Sequence, residues 1–170
     1  MGMKTIRRVV IPVLACAAIW LGLAAAPAAT ERKPLPTFTV TATGGGAVAS
    51  ADLTHEGRWL FVYVQPACAE CRTLLATIDE TDQPRVAARM VIVVGGVDDA
   101  GLAAFSTAFP KLTTAAWYAD SEGAVPPAVK APGLPFVFGM KQRITEWGMI
   151  GVVPDAAAVR SALVSWAGER

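Results

Sequence analysis

From Arg58 to Gln65 the chain reads Arg-Trp-Leu-Phe-Val-Tyr-Val-Gln, six apolar or aromatic positions in a row between polar ends. An unbroken run of this length, rich in β-branched and aromatic residues, predicts a strand buried on both faces. Pro66 ends it. Over residues 68–79 the pattern changes: Leu74, Leu75 and Ile78 recur at helical spacing and predict a helix with one apolar face. Residues 90–94 form a second buried-strand run, stopped by Gly95-Gly96. Asp98 and Asp99 are N-cap candidates for a helix over residues 100–109, ended by Pro110. Residues 116–119 predict a short strand. Residues 121–132, dominated by Pro, Gly and Ala, predict loop with at most one helical turn. A strand follows at 135–138, a turn at 139–143 and a returning strand at 144–153. Pro154 and Asp155 open a last helix with an apolar stripe at Val159, Leu163 and Trp166.

Upstream, residues 38–41 alternate and are β-rich, Gly44-Gly45-Gly46 interrupts them, and 47–53 return as a short strand. This predicts an N-terminal β-hairpin. The order from residue 37 is β-(β)-β-α-β-α-β-β-α. The middle β-α-β needs a crossover between parallel strands, and the last two strands form a hairpin. The expected class is therefore α/β: a central mixed sheet flanked by helices, with the hairpin as an extension, over residues 37–170.

The first 36 residues follow other rules. Lys4, Arg7 and Arg8 precede an apolar run over residues 9–26, and Ala26-Pro27-Ala28 supplies a small-x-small pattern. Residues 1–28 therefore predict a secretory signal peptide. An uncleaved membrane anchor with its positive end inside is the alternative. Val13-Leu14-Ala15-Cys16 loosely resembles a lipoprotein box, but the apolar run continues past Cys16. Residues 29–36, with two prolines, predict an exposed linker. The segment also explains why the chain is 54% hydrophobic and only 17% charged.

Without the three N-terminal cations, 15 Lys and Arg fall to 12 against 14 Asp and Glu. The exported part then carries a charge of about −2. It has no basic stripe and no aromatic–basic interleaving, so a nucleic-acid partner is not expected. Of three cysteines, Cys16 lies in the signal, leaving Cys68 and Cys71. Two cysteines this close cannot staple distant parts of a fold, and so short a loop removes little chain entropy. The pair is expected to be chemical, in a compartment where disulfides persist.

Cys68-Ala69-Glu70-Cys71 follows a buried strand and opens a helix. A sulfur at a helix start faces unpaired N–H groups and the positive end of the dipole. Both favour a thiolate, the nucleophile of disulfide exchange. Cys71, one turn on, is within reach of Cys68. Cys68 is the expected nucleophile and Cys71 the resolving thiol. Ala69 and Glu70 between them, and Pro66 ahead, are the expected modulators. Glu70 disfavours a nearby thiolate by its charge, which predicts a weakly oxidising to reducing pair. A bare C-x-x-C is also half a zinc site, but no second pair exists and the other donor, His55, precedes the motif. No cofactor and no metal enters the main reading. Cu(I) held between the two sulfurs by a metallochaperone is the alternative; an adaptor without activity is the third.

Residues 59–71, Gly133-Leu134-Pro135-Phe136 and the terminal β-β-α together resemble the thioredoxin superfamily, and most nearly its exported TlpA/ResA-type thiol–disulfide oxidoreductases. The likeness spans residues 35–167. A C-x-x-C joined to an x-Pro strand 64 residues later carries it. The resemblance implies a thioredoxin-like fold and a cis bond at Pro135, with Leu134 and Pro135 pairing with a substrate segment. It further implies exported protein thiols or disulfides as substrates, and a membrane or periplasmic redox partner. The expected location is periplasmic or otherwise extracytoplasmic.

The chain also departs from that pattern. Ala67 stands where many relatives have Trp, and Val62 where cytoplasmic thioredoxins bury an acid. Gln65 stands where a peroxidase needs Thr. Met140 and Met149 flank the final hairpin, where a hydrophobic substrate surface or plain gap-filling would place them.

Overall fold

The computed structural model describes residues 32–81, 83–151 and 155–168. The expected signal peptide or anchor therefore lies outside the described residues. No helix among them is long and apolar enough to cross a membrane.

Eight strands form one sheet: β1 (Lys33–Pro34), β2 (Thr39–Ala42), β3 (Ala47–Ala49), β4 (Arg58–Val64), β5 (Met90–Gly95), β6 (Ala116–Asp120), β7 (Phe136–Lys141) and β8 (Ile144–Ile150). Their spatial order is β1-β8-β7-β4-β5-β6-β2-β3. β4 sits at the centre, parallel to β5 and antiparallel to β7. β5 and β6 are parallel, and β7 and β8 form the expected hairpin. The helices are α1 (Ala69–Asp79), α2 (Pro84–Ala87), α3 (Asp99–Ser106), α4 (Val125–Val129) and α5 (Ala156–Gly168). The architecture is the expected mixed α/β one.

The two faces of β4 supply two cores. Leu60, Val62 and Val64 pack with Cys71, Leu74, Leu75 and Ile78 of α1, Leu102 of α3, and Val159 and Leu163 of α5. Trp59, Phe61 and Tyr63 face the other way, against Phe38, Leu53, Val125, Phe136 and Phe138. Every β4 side chain from Trp59 to Val64 is fully buried, as a run without polar positions requires.

Local chemistry sets the helix ends. The Asp98 carboxylate accepts from Gly101 N at 2.8 Å and caps α3. Asp155 accepts from Ala157 N and Ala158 N at 2.9 and 3.1 Å ahead of α5. β8 ends at Ile150, short of residue 153, because Gly151 turns the chain at φ 86°.

The upstream segment differs from the expected exposed linker. Lys33 and Pro34 pair with Thr145 and Ile144 at the edge of β8. Leu35 donates to the Arg143 carbonyl at 3.0 Å and is buried. The β2–β3 hairpin is also no free extension, because β2 pairs with β6 through Thr41↔Ala119 and Ala42↔Tyr118.

Candidate active site

The central strand delivers its last residue, Val64, to a tight turn in which Cys68 N donates to the Gln65 carbonyl at 3.1 Å. Cys68 is the N-cap of α1, with φ −87° and ψ 113°, and its Sγ accepts from Cys71 N at 3.1 Å. The sulfur thus takes the place usually held by a serine or aspartate oxygen. Cys68 and Cys71 are joined by a disulfide across a Cα–Cα distance of 5.2 Å. They differ in access: Cys68 is half-buried, whereas Cys71 is 0% exposed. Of the two, only Cys68 is open to a bulky attacking group.

The expected modulators lie close by. One Glu70 carboxylate oxygen is 3.8 Å from Cys68 Sγ, on an exposed side chain. Ala69, the first residue of α1, is exposed. The Pro66 carbonyl accepts from Arg72 Nε at 2.8 Å, so the guanidinium next to the motif braces the turn. Val62, at the site of the missing acid, lies wholly in the apolar cluster with Cys71.

The Leu134–Pro135 peptide bond is cis. Pro135 is buried and precedes Phe136, which pairs with Tyr63 of β4, so it adjoins the root of the redox turn. Its carbonyl accepts from Gly151 N at 2.7 Å. A groove of about 210 Å³ joins Pro135 to the first turns of α1, with Ala69, Glu70, Thr73 and Leu74 on one wall and Ala156 and Val159 on the other. Leu134 is half-buried and packs against both cores. The fold therefore gathers Cys68, Cys71, Pro66, Ala69, Glu70, Leu134 and Pro135 at one end of the sheet.

It does not gather Met140 or His55 there. Met140 is fully buried and accepts from Thr145 Oγ1 at 3.4 Å, which leaves it no part in a substrate surface. His55 lies edge-on to Trp59, with ring centroids 5.9 Å apart. Trp59 is in the strand that carries the redox turn at its other end. No group of three or more His, Cys, Asp or Glu among the described residues is placed to hold a metal ion.

Burial, and then the positive charge of Arg89, lower the pKa of His55 below its usual 6.5. Below that pH the unfolded chain binds the proton more readily than the folded one, so acid erodes stability. His55→Gln is expected to flatten the fall in urea midpoint between about pH 7 and pH 5. An unchanged slope would assign the fall to carboxylates instead.

Sequence reading overlooked Tyr63 and Asp120. Tyr63 is fully buried, and its hydroxyl donates to Asp120 Oδ2 at 3.0 Å. Burial first, then the Asp120 charge and this hydrogen bond, push the Tyr63 pKa up. A tyrosine inside an apolar strand run was the one available signal, since a buried phenol needs a partner.

This is a thioredoxin-type fold with its cysteine pair at the helix start. No family model and no curated protein matches the sequence. Among solved structures, a secreted Mycobacterium tuberculosis disulfide oxidoreductase homologous to E. coli DsbE superposes with a TM-score of 0.59 at 16% identity. That match covers 75% of this chain and 95% of the other. A thio-disulfide isomerase from Thermus thermophilus gives 0.59 at 15% identity, over 83% of this chain and 99% of that one. The pneumococcal exposed lipoprotein thioredoxin Etrx1 from Streptococcus pneumoniae gives 0.54 at 14% identity, over 76% and 98%. At these identities the likeness is one of fold.

Proposed function

We propose that the protein is an exported thiol–disulfide oxidoreductase acting on protein thiols and disulfides outside the cytoplasm. One observation carries this reading: a half-exposed sulfur caps a helix, and its partner sulfur is buried one turn behind it. An inert staple has no use for that asymmetry, whereas exchange requires it. The N-terminal pattern of cations, apolar run and small residues supports export, with the signal either cleaved or kept as an anchor.

In the reducing direction the Cys68 thiolate attacks one sulfur of a substrate disulfide. A Cys68–substrate bond forms, and the other substrate sulfur leaves as a thiolate. Cys71, deprotonated, then attacks Cys68 Sγ and expels the second substrate sulfur. The substrate gains two electrons and takes up two protons; the pair ends as the Cys68–Cys71 disulfide. A dithiol redox partner restores it by the same steps in reverse roles. Leu134 and Pro135, beside the turn, hold the substrate segment.

Reduction of insulin by catalytic protein with dithiothreitol as electron donor tests the reading. Turnover well above the dithiothreitol background is expected, and background rates alone would reject an oxidoreductase.

The Glu70 carboxylate near Cys68 Sγ sets the direction of exchange. Its negative charge disfavours the Cys68 thiolate and hence the reduced form. Glu70→Gln is expected to shift the equilibrium with glutathione toward reduced protein by roughly threefold to tenfold. The pH midpoint of Cys68 alkylation should fall in parallel. A wild-type potential near −120 mV, that of a strong oxidant, would contradict a weakly oxidising to reducing pair.

A further inference from the structure

Asp120, at the end of β6, is a carboxylate 2% exposed with three donors upon it. Tyr63 O–H donates to Oδ2 at 3.0 Å, Val125 N to the same oxygen at 3.0 Å, and Ala124 N to Oδ1 at 2.8 Å. The first donor belongs to the strand that carries the cysteines. The other two open α4, in the segment that leads to Leu134 and Pro135. One buried carboxylate therefore ties the two halves of the candidate active site together.

Tyr63 is joined to that site in other ways. Its ring stacks on Phe136, the residue after Pro135, with centroids 4.8 Å apart and planes 2° from parallel. Two residues on, the Gln65 carbonyl accepts from Cys68 N at 3.1 Å, so the strand end that holds Tyr63 also shapes the redox turn. Between Tyr63 and Asp120 lies β5, and the bond passes across Gly95. A Cβ there would fall on the Tyr63 hydroxyl oxygen and 2.7 Å from Cζ. The sheet thus leaves a gap where the bond crosses.

The tied segment needs such an anchor. Residues 121–135 hold four prolines and two glycines, and Val125 is their one fully buried side chain before Pro135. Without the carboxylate, the first N–H groups of α4 lose their partner.

We propose that Tyr63 and Asp120 are positioning residues for protein substrates. They fix Leu134 and Pro135 relative to Cys68, so that a docked segment presents its disulfide in line with the sulfur. The chemistry of the sulfur pair itself does not use them. The proposal rests on the oxidoreductase reading above.

Tyr63→Phe and Asp120→Asn test it, with Tyr63→Phe deciding if the other variant does not fold. Insulin reduction is expected to fall about tenfold in kcat/KM, most of it in kcat, as loss of alignment predicts. Reduction of the small disulfide dithiobis-nitrobenzoate and the glutathione equilibrium should stay within about twofold of wild type, since neither needs docking. Trypsin should cut faster after Lys130, the one tryptic site in residues 121–135. Equal losses with insulin and the small disulfide, or no loss with either, would overturn the proposal and leave a stabilising contact only. A wild-type protein that leaves insulin oxidised removes the oxidoreductase reading and this proposal with it. A wild type that reduces insulin no better than both variants removes this proposal alone.

Discussion

Cys68→Ser is expected to lose insulin reduction by roughly a thousandfold or more, while Cys71→Ser collects covalent adducts with its substrates. The two outcomes differ because the sulfurs differ in access. A serine hydroxyl at position 68 keeps the N-cap geometry but is not ionised at neutral pH, so no nucleophile faces solvent. Cys71 cannot take over, since it is 0% exposed and packed among Val62, Leu75 and Val159. In Cys71→Ser the first attack proceeds, and the Cys68–substrate disulfide forms as before. Its resolution needs a second thiolate at the right distance, and that group is now an alcohol. The adduct therefore persists until an external thiol removes it. Non-reducing gels of cell-envelope extracts should show bands that vanish with dithiothreitol and are missing for the double variant Cys68→Ser/Cys71→Ser. Activity in purified Cys68→Ser close to wild type would end the oxidoreductase reading, because the one other cysteine downstream of the predicted signal, Cys71, is buried.

How much of this site could be read from the chain depended on how local its determinants are. Strand β4 was legible because six consecutive apolar residues leave a strand no solvent face, and the structure buries all six. The start of α1 was legible because Pro66 ends the strand and Cys68 carries the capping atom itself. Asp98 announced α3 in the same way. β1 was not legible. Lys33 and Pro34 have no strand preference of their own and are extended because β8 offers an edge more than a hundred residues later. α2, with the sequence Pro-Arg-Val-Ala, is too short to show a period. The Tyr63–Asp120 bond joins residues 57 apart across an intervening strand, and no pattern within either segment encodes it. The groove beside Pro135 is assembled from three separate elements and belongs to the same class.

Gly95→Ala is expected to destabilise the fold by about 3–5 kcal/mol and to lower Tm by roughly 10–15 °C. The backbone is not the cause, since Gly95 has no left-handed φ and alanine fits a strand. The added Cβ meets the hydroxyl end of Tyr63, a side chain with no room to withdraw. Its ring is held against Phe136 on one side and its oxygen on Asp120. Displacing the ring costs packing, typically about 1–3 kcal/mol. It also strips a buried carboxylate of a donor, a loss of about 1.5–3 kcal/mol for a charged acceptor. Tyr63→Phe alone incurs only the second of these. In the double variant the donor is lost once rather than twice, and the atom the Cβ would strike is gone. The remaining conflict is with Cζ, at 2.7 Å. The double variant should therefore be more stable than the sum of the two singles implies, by about 1–2 kcal/mol, in a urea double-mutant cycle. Strict additivity would mean that the alanine is accommodated elsewhere and that Gly95 is not the gap through which β4 reaches Asp120.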